Sequence, residues 1–397
     1  MKPQPIDVQA AQRIAGFKPY FFAALNEKIS VLKSQNVEVI RLDMGAPDLP
    51  PPDFIINSML ESAKKADTHS YTPSGGTPAY RDAIASYYRR RFDVVLDPQK
   101  ETLGLIGSKE GIFNLSQALL DPEDVTLTPD PGYPVYKASG LIAGSKMYSF
   151  PLLRENHFLP DLDAIPQEIA RKAKILWLNY PNNPTGAVAG LDFFEKAVEF
   201  AERYQILIAH DAPYTDVCFD GYRAPSILQV NGAKEVAVEF NSLSETYNMA
   251  GWRLGMVVGN PKVINLLNIY KSQVDSSHFK PVFDGGITAL TGDQTWLEER
   301  NLVYQHRRDI IVSTLRSLGF TLDTPQAAIY VWAKLPPEAG DCVDFCDRLL
   351  RQTGVSTTPG VVYGAYGEGF LRISLGTPTP RIEEAMSRMC EWMKKYS

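Results

Sequence analysis

Cysteine is scarce in this sequence, and the residues that are present lack the spacing of a metal site. The four cysteines are Cys218, Cys342, Cys346 and Cys390, and no two of them form the C-x-x-C pair of a zinc ribbon. We therefore predict reduced thiols in the protein core and no bound metal.

Long apolar runs and an excess of positive charge are missing as well. No stretch approaches the ~18 apolar residues of a membrane-spanning helix, and the opening MKPQPIDVQAAQRIAG has no apolar signal segment. The formal charge is −6, from 40 basic and 46 acidic residues spread along the chain. This balance gives no reason to expect a nucleic-acid partner. We expect a cytoplasmic protein that does not associate with membranes.

The apolar content of 44% over 397 residues is enough for a large core and favours two domains. Short apolar strands alternate with amphipathic helices between about residues 100 and 270, as is typical of a mostly parallel sheet flanked by helices. The predicted strands are 102–106, 125–128, 175–178, 206–209, 236–240 and 254–258. A helix is predicted at 110–120, and a second helix buries Leu191, Phe194, Ala197, Val198 and Ala201.

The sequence beyond residue 290 predicts a second, smaller α/β domain. Helices are predicted at 297–318 and 343–352, and strands at 329–333 and 370–374. A last helix is predicted to have Thr379 as its N-cap and Pro380 at its first position. The prolines of the segment 47–52 indicate an extended connector.

Five local sequences carry candidate chemistry, and each falls at a strand end or in the turn that follows. Open α/β sheets bind ligands at the carboxyl ends of their strands. In IGSKEG, residues 106–111, free backbone amides at a helix start favour an anion, although glycine turns before helices are common. In YPNNPTG, residues 180–186, two prolines can hold the Asn183 amide rigidly toward a ligand, or the loop is an ordinary proline-rich turn.

The other three sequences add charged and hydroxyl groups. In HDAPY, residues 210–214, Asp211 can keep a heterocyclic nitrogen protonated, or can merely cap the next segment, and Tyr214 can donate to a phenolate. In NSLSETYNMAGWRLG, residues 241–255, the hydroxyls and Arg253 suit a phosphate dianion. Arg372, inside the apolar strand LRIS, needs an anionic partner, which is either a substrate carboxylate or a structural ion pair.

In order and spacing, these five motifs resemble the class I/II, or fold-type I, aminotransferases, which depend on pyridoxal 5'-phosphate. The resemblance covers essentially the whole chain, and GSKEG, DPGYPVY and YTPSGG are most similar to bacterial aspartate and LL-diaminopimelate aminotransferases. The resemblance implies a large cofactor-binding domain at 46–288 and a small C-terminal domain at 289–397. Residues 1–45 would then form an N-terminal arm and part of the small domain.

The resemblance also implies a role for each candidate residue. The cofactor phosphate would be bound by Gly107, Ser108 and Lys109 together with Ser242, Ser244 and Arg253. Tyr133 would stack on the pyridine ring, Asp211 would pair with the ring nitrogen, and Asn183 and Tyr214 would hold the phenolic oxygen. Arg372 and Gly45 would bind the substrate carboxylate, and Asn183 would also contact the substrate. Lys109 either helps select a polar or acidic substrate side chain or is a solvent-facing lysine at a helix start. Tyr71 would reach the phosphate of a neighbouring subunit, which implies a homodimer with shared active sites.

The chain departs from the family at residue 245, where the family has the lysine that bonds to the cofactor aldehyde and this sequence has Glu245. A carboxylate cannot form that bond, so we expect the cofactor to be held without a covalent link. With its ordinary pKa near ~4.3, a glutamate is also a poor base for the proton transfer that the lysine performs. The chain is either a natural homologue without the lysine or one mutated to trap a complex.

Amino-group exchange between an amino acid and a 2-oxo acid is the function that the resemblance implies, with turnover left open by Glu245. Two alternatives remain. One is a non-catalytic protein that binds pyridoxal or pyridoxamine 5'-phosphate, and the other is a lyase or decarboxylase on the same fold.

Overall fold

The computed structural model describes residues 6–17 and 21–394. The α-helices, in chain order, are α1 (Gln12–Ala15), α2 (Phe21–Ser34), α3 (Asp53–Ala63), α4 (Pro78–Phe92), α5 (Ser108–Leu119), α6 (Pro134–Ala143), α7 (Gln167–Ala170), α8 (Leu191–Tyr204), α9 (Ala233–Val236), α10 (Leu243–Thr246), α11 (Pro261–Ser272), α12 (Lys280–Thr291), α13 (Trp296–Ser317), α14 (Cys342–Thr353) and α15 (Thr379–Met393). The strands are β1 (Ile40–Arg41), β2 (Thr102–Leu105), β3 (Val125–Asp130), β4 (Lys146–Pro151), β5 (Ala173–Leu178), β6 (Leu207–Asp211), β7 (Ala237–Ser242), β8 (Gly255–Gly259), β9 (Tyr330–Lys334), β10 (Val355–Ser356), β11 (Thr358–Pro359) and β12 (Phe370–Ser374).

A seven-stranded sheet forms the centre of the larger part of the molecule. Its strand order is β2-β8-β7-β6-β5-β3-β4, and β8 runs antiparallel to both of its neighbours while the other pairs are parallel. Helices cover the sheet, and their apolar faces pack on it; α8, for example, buries Phe194, Ala197 and Val198. The predicted fold class, a mostly parallel mixed sheet flanked by helices with a smaller α/β part, is confirmed.

The smaller α/β part is built from both ends of the chain. Strands β11, β12 and β9 form an antiparallel sheet, and β1 pairs with β10 in parallel register. A separate apolar core joins these strands to α13, α14 and α15. The N-terminal segment around Ile40 and Leu42 therefore belongs to this second core, while the domain limits at residues 45 and 288 stay a prediction.

Two local sequence predictions are corrected by the structure. Thr379 is not an N-cap; α15 begins at Thr379 after Pro378, and the threonine hydroxyl instead accepts a hydrogen bond from Nε of Arg307 at 3.2 Å. Leu191, assigned to the buried face of α8, is the first residue of that helix and is 39% exposed, whereas Phe193 in the same turn is buried.

The predicted thiols are free, with Cys342 and Cys346 buried on α14. Among the described residues, no helix combines the length and the apolar character that crossing a membrane requires.

Candidate active site

The turn between β2 and α5 presents a helix N-terminus and two cations in one place. Gly107 has φ 76° and immediately precedes Ser108, the first residue of α5. A Cβ at Gly107 would lie 2.5 Å from Nη2 of Arg253, so glycine is required for the guanidinium to lie against this turn. The pKa of Lys109 is lowered by burial and by the charge of Arg253. A phosphate-like anion would offset the repulsion between Lys109 and Arg253 and would accept hydrogen bonds from the N–H groups at the start of α5.

The turn that follows β7 carries the candidate hydroxyl groups and Glu245. Oγ of Ser242 caps α10 by accepting a hydrogen bond from the N–H of Ser244 at 3.1 Å. Arg300, on α13, holds the other end of α10 by donating to the carbonyl oxygens of Glu245, at 2.9 Å, and Thr246. The backbone of Glu245 is thus fixed between a cap at one end and an arginine at the other.

Asp211 ends β6 at the carboxyl edge of the sheet and is 3% exposed. Its Oδ2 accepts a hydrogen bond from the hydroxyl of Tyr136 at 2.7 Å, and its backbone oxygen accepts one from Nδ2 of Asn179 at 2.7 Å. Burial raises the pKa of Asp211 to about 6, against the lowering effect of the Tyr136 hydrogen bond. Within the described residues, Oδ1 of Asp211 has no hydrogen-bond partner, so a ligand N–H can fill this acceptor.

Arg372 is buried on β12 and has no carboxylate within ion-pair distance among the described residues. Its Nη1 donates to Oδ1 of Asn183 and its Nη2 to the backbone oxygen of Asp43, both at 2.9 Å. The guanidinium lies 4.2 Å from the ring centroid of Tyr330, and its Nε has no partner in the described part of the chain. The structural ion pair that was the alternative reading of Arg372 is therefore missing, and the charge is left for an anionic ligand.

Two tyrosines join the sheet edge to the smaller α/β part. The hydroxyl groups of Tyr214 and Tyr330 are 2.8 Å apart, and the hydroxyl of Tyr330 also donates to the backbone oxygen of Gly45 at 3.5 Å. Burial, the neighbouring Tyr330 and the carboxylate of Glu245 all raise the pKa of Tyr214 above its ordinary value. Tyr214 is therefore a neutral hydrogen-bond donor at physiological pH.

Glu245 brings a second carboxyl group into the space beside Asp211. Burial raises its pKa to about 7, with a further contribution from the carboxylate of Asp211 and an opposing one from the hydroxyl of Ser242. Its Oε2 is buried and has no hydrogen-bond partner among the described residues. Position 245 thus presents a carboxyl group that exchanges its proton near neutral pH, and the ordinary glutamate pKa assumed from the sequence is wrong here.

These groups surround one cavity of about 300 Å³ between the sheet edge and the smaller α/β part. The predicted residues that line it are Gly45, Ser108, Tyr133, Asn183, Asp211, Tyr214, Glu245 and Arg372. Five further candidates, Gly107, Lys109, Ser242, Ser244 and Arg253, belong to the two turns that carry Ser108 and Glu245. Lys109 opens onto an adjoining groove of about 1300 Å³ that shares Tyr133 with the cavity. Tyr71 is 92% exposed and lies apart from the cavity of its own chain.

Ten lining residues were not identified from the sequence: Phe22, Asn26, Arg41, Met44, Ala46, Tyr136, Asn179, Pro213, Tyr330 and Tyr363. Tyr136 follows Tyr133 by three residues on the first turn of α6, so helical spacing is a signal that would have found it. Tyr330 has no such local signal, because only the packing of β9 against the sheet edge brings it to Tyr214.

The sequence model of the family described as Aminotransferase class I and II matches residues 37–389 of the chain. The LL-diaminopimelate aminotransferase of Desulforudis audaxviator is 50% identical over 380 residues, covering 96% of each chain. The LL-diaminopimelate aminotransferase of Moorella thermoacetica is 48% identical over 382 residues, covering 96% of this chain and 98% of that protein. Among solved structures, substrate-bound BacF from Bacillus subtilis superposes with a TM-score of 0.93 at 33% identity, covering 98% of both chains.

Proposed function

The chain belongs to the class I and II aminotransferase family, whose members depend on pyridoxal phosphate, and from this we propose that its 300 Å³ cavity exchanges an amino group between an amino acid and a 2-oxo acid. One observation carries the proposal. Three features meet at one cavity: the N-terminus of α5, which has two cations beside it, the buried carboxyl group of Asp211 with an unfilled acceptor, and the buried Arg372, which has no carboxylate partner in the part of the chain that the structure describes.

The residues present fit the cofactor. The amides of Gly107, Ser108 and Lys109, with Arg253 and the hydroxyls of Ser242 and Ser244, form the phosphate site. Oδ1 of Asp211 would accept a hydrogen bond from the pyridine N–H, the ring of Tyr133 would stack on the pyridine, and Asn183 and Tyr214 would hold its phenolic oxygen. When bound, the cofactor supplies an electron sink that makes the α-hydrogen of the amino acid acidic. Retention would depend on non-covalent contacts, since Glu245 offers no nucleophile for a covalent link.

The protein side chains then bind the substrate and move its proton. Arg372 binds the α-carboxylate with its guanidinium, and the backbone at Gly45 closes over the same group. Oε2 of Glu245 would take the proton from the α-carbon and deliver it to the C4′ carbon of the cofactor, because a carboxyl group with a pKa of about 7 is matched to proton transfer at neutral pH. Glu245 thereby replaces the lysine as proton carrier but not as the covalent anchor.

The amino donor that we propose is LL-diaminopimelate, since the similar enzymes of Desulforudis audaxviator and Moorella thermoacetica are named for this substrate. Its two ends both carry an amino group and a carboxylate. With one end on Arg372, the other can extend past Tyr133 into the adjoining groove, where Lys109 offers a charge to the distal carboxylate.

The assembly and setting that we propose are a cytoplasmic homodimer with shared sites. Tyr71 is exposed in the single chain and is free to complete the phosphate site of a partner subunit, as the family resemblance implies. The division into 1–45, 46–288 and 289–397 is proposed on the same basis.

Single-turnover analysis tests the proposed function. Protein loaded with pyridoxamine 5'-phosphate is mixed with a panel of 2-oxo acids, and the new amino acid and the converted cofactor are measured by mass spectrometry. We expect both products in equal amounts with wild type and neither with Arg372→Gln, which binds no carboxylate. Tight cofactor binding with no formation of an amino acid product would favour the non-catalytic binding protein. In a parallel reaction, protein loaded with pyridoxal 5'-phosphate is mixed with amino acids. Release of CO₂ or formation of elimination products would favour the lyase or decarboxylase.

A further inference from the structure

Two buried carboxyl groups face the cavity, and each has one oxygen without a partner among the described residues. These oxygens are Oδ1 of Asp211 and Oε2 of Glu245. The two groups are close enough for the charge of Asp211 to raise the pKa of Glu245. An unfilled buried acceptor is costly, so a ligand that fits the cavity brings two hydrogen-bond donors to this side.

Arg41 also lines the cavity, but its charge is already paired with the buried carboxylate of Asp43 at 2.6 Å. The remaining charged groups around the cavity are cations. Arg253 and Lys109 lie at the N-terminus of α5, and Arg372 lies on β12. A matching ligand is therefore anionic at one end and carries two N–H donors in its middle, one of them positively charged to offset the second carboxylate.

We propose that the cavity selects the amine form of its cofactor, pyridoxamine 5'-phosphate, because the ammonium group of that form pairs with Glu245 while its ring N–H pairs with Asp211. This inference rests on the proposed function, in which the cavity is a pyridoxal or pyridoxamine phosphate site.

The two cofactor forms differ at the group that would meet Glu245. Pyridoxamine phosphate carries an ammonium group, which donates to a carboxylate in a charge-assisted hydrogen bond. Pyridoxal phosphate carries an aldehyde oxygen there, which can only accept a hydrogen bond. Oε2 of Glu245 then has no donor when it is ionised, and it can pair with the aldehyde only when it is protonated. A family member with lysine at this position gains the opposite preference, because its amine bonds to the aldehyde. The replacement at 245 therefore reverses which form the resting protein holds.

The affinity of both forms for cofactor-free protein measures this preference. Titration calorimetry is run with pyridoxamine phosphate and with pyridoxal phosphate on wild type, on Glu245→Gln and on Glu195→Gln, a matched change at an exposed position of α8. We expect pyridoxamine phosphate to bind wild type and Glu195→Gln at least about tenfold more tightly than pyridoxal phosphate, the ratio of one charge-assisted hydrogen bond. In Glu245→Gln the ratio falls to near one, since glutamine keeps the size but loses the charge.

Each other outcome decides a separate point. Equal or tighter binding of pyridoxal phosphate by wild type overturns the inference and leaves the proposed function standing. A preference that persists in Glu245→Gln overturns the assignment to Glu245. Failure of wild type to bind either form sinks the proposed function itself. Circular dichroism confirms folding of the variants, and Glu245→Ala, which adds no new contact, repeats the measurement if the glutamine variant does not fold.

Discussion

At the scale of single residues, ionisation of the buried carboxyl groups of Glu245 and Asp211 destabilises the folded, cofactor-free protein. Their pKa values are raised to about 7 and about 6, from ordinary values of 4.5 and 3.8, chiefly by burial. A raised pKa in the folded state contributes stability below the ordinary pKa that is lost as the pH rises through the raised value. The cofactor-free protein therefore becomes less stable between about pH 4.5 and pH 8. A ligand that donates hydrogen bonds to these two carboxylates would offset the destabilisation, and carboxyl groups with shifted pKa values are common in functional sites.

Glu245→Gln removes the larger of these two costs. We expect the variant to be more stable than wild type at pH 8 by on the order of 2 kcal/mol, with only a minor part of this difference left at pH 5, just above the ordinary pKa of Glu245. Urea unfolding of cofactor-free protein at both pH values measures this. A difference of the same size at pH 5 and pH 8 would point to packing instead of charge.

Glu245→Lys is expected to restore the covalent anchor. The phosphate site, Asp211, the tyrosines and Arg372 do not depend on residue 245, so only the nucleophile has to be supplied. Borohydride reduction and mass spectrometry should find a pyridoxyl adduct on residue 245 of the variant and none on any lysine of wild type. Amino transfer should rise, and because Glu245 already carries the proton in wild type, the gain comes from the covalent anchor and not from the ~10²–10⁴ that a general acid-base group contributes. If the lysine variant gains the adduct but transfers nothing while wild type turns over, the site has been reshaped for other chemistry.

At the scale of helices and strands, four of the five motifs are local and follow strands that end at the same edge of the large sheet, whereas Arg372 lies within β12 of the smaller α/β part. A strand followed by a glycine turn and a helix, as at β2 and α5, predicts an anion site from neighbouring residues alone. The contacts that tune these groups are different. Tyr136 reaches Asp211 across 75 residues, and Arg300 reaches Glu245 across 55, so neither pairing has a pattern that a single sequence can reveal.

Arg300→Met tests how α13 supports the turn that carries Glu245. Arg300 is buried and donates to three backbone oxygens, those of Glu245, Thr246 and Asp216. Its loss leaves buried carbonyl groups without a donor, which costs about 1–3 kcal/mol for each group left unsatisfied. We expect a clear drop in the urea midpoint and weaker cofactor binding, whereas Arg351→Met, at an exposed position of α14, changes neither. Unchanged stability would show that water replaces the arginine.

Lys109→Ala tests the substrate preference of the α5 turn. Lys109 lies on the adjoining groove, and a lysine there can meet a distal carboxylate as a point charge. We expect dicarboxylic ligands, including LL-diaminopimelate, to bind about tenfold more weakly to the variant, with monocarboxylic ligands little affected. Lys172→Ala, at an exposed position, is the control for charge. Equal losses for both ligand classes would mean that Lys109 serves the cofactor phosphate only.

At the scale of the whole molecule, the cavity lies between two cores that are formed by different parts of the chain. The larger part contributes Asp211, on β6, and Glu245, on α10, while the smaller α/β part contributes Tyr330 and Arg372. A site assembled in this way depends on how the two parts pack. The alternation of strands and helices predicts both parts, but the pairing of β1 with β10, which returns the N-terminal segment to the second core, is a long-range contact without a sequence signal.

The last prediction concerns two copies of the whole chain. Tyr71 is 92% exposed although it is a large aromatic residue, and the family resemblance assigns it to the phosphate of a partner subunit. We expect light scattering to give a two-fold dimer, and Tyr71→Phe to weaken binding of pyridoxamine phosphate about tenfold, whereas Tyr366→Phe, at another exposed tyrosine, does not.

Mixing Tyr71→Ala with Arg253→Ala subunits provides the sharper test. In a hybrid dimer, the Tyr71→Ala subunit keeps its own Arg253 and receives Tyr71 from its partner, so one site in two is complete. Cofactor binding should therefore recover in the mixture, although each variant alone binds weakly. A stable monomer that binds the cofactor, or a mixture that binds no better than its components, would contradict the shared site.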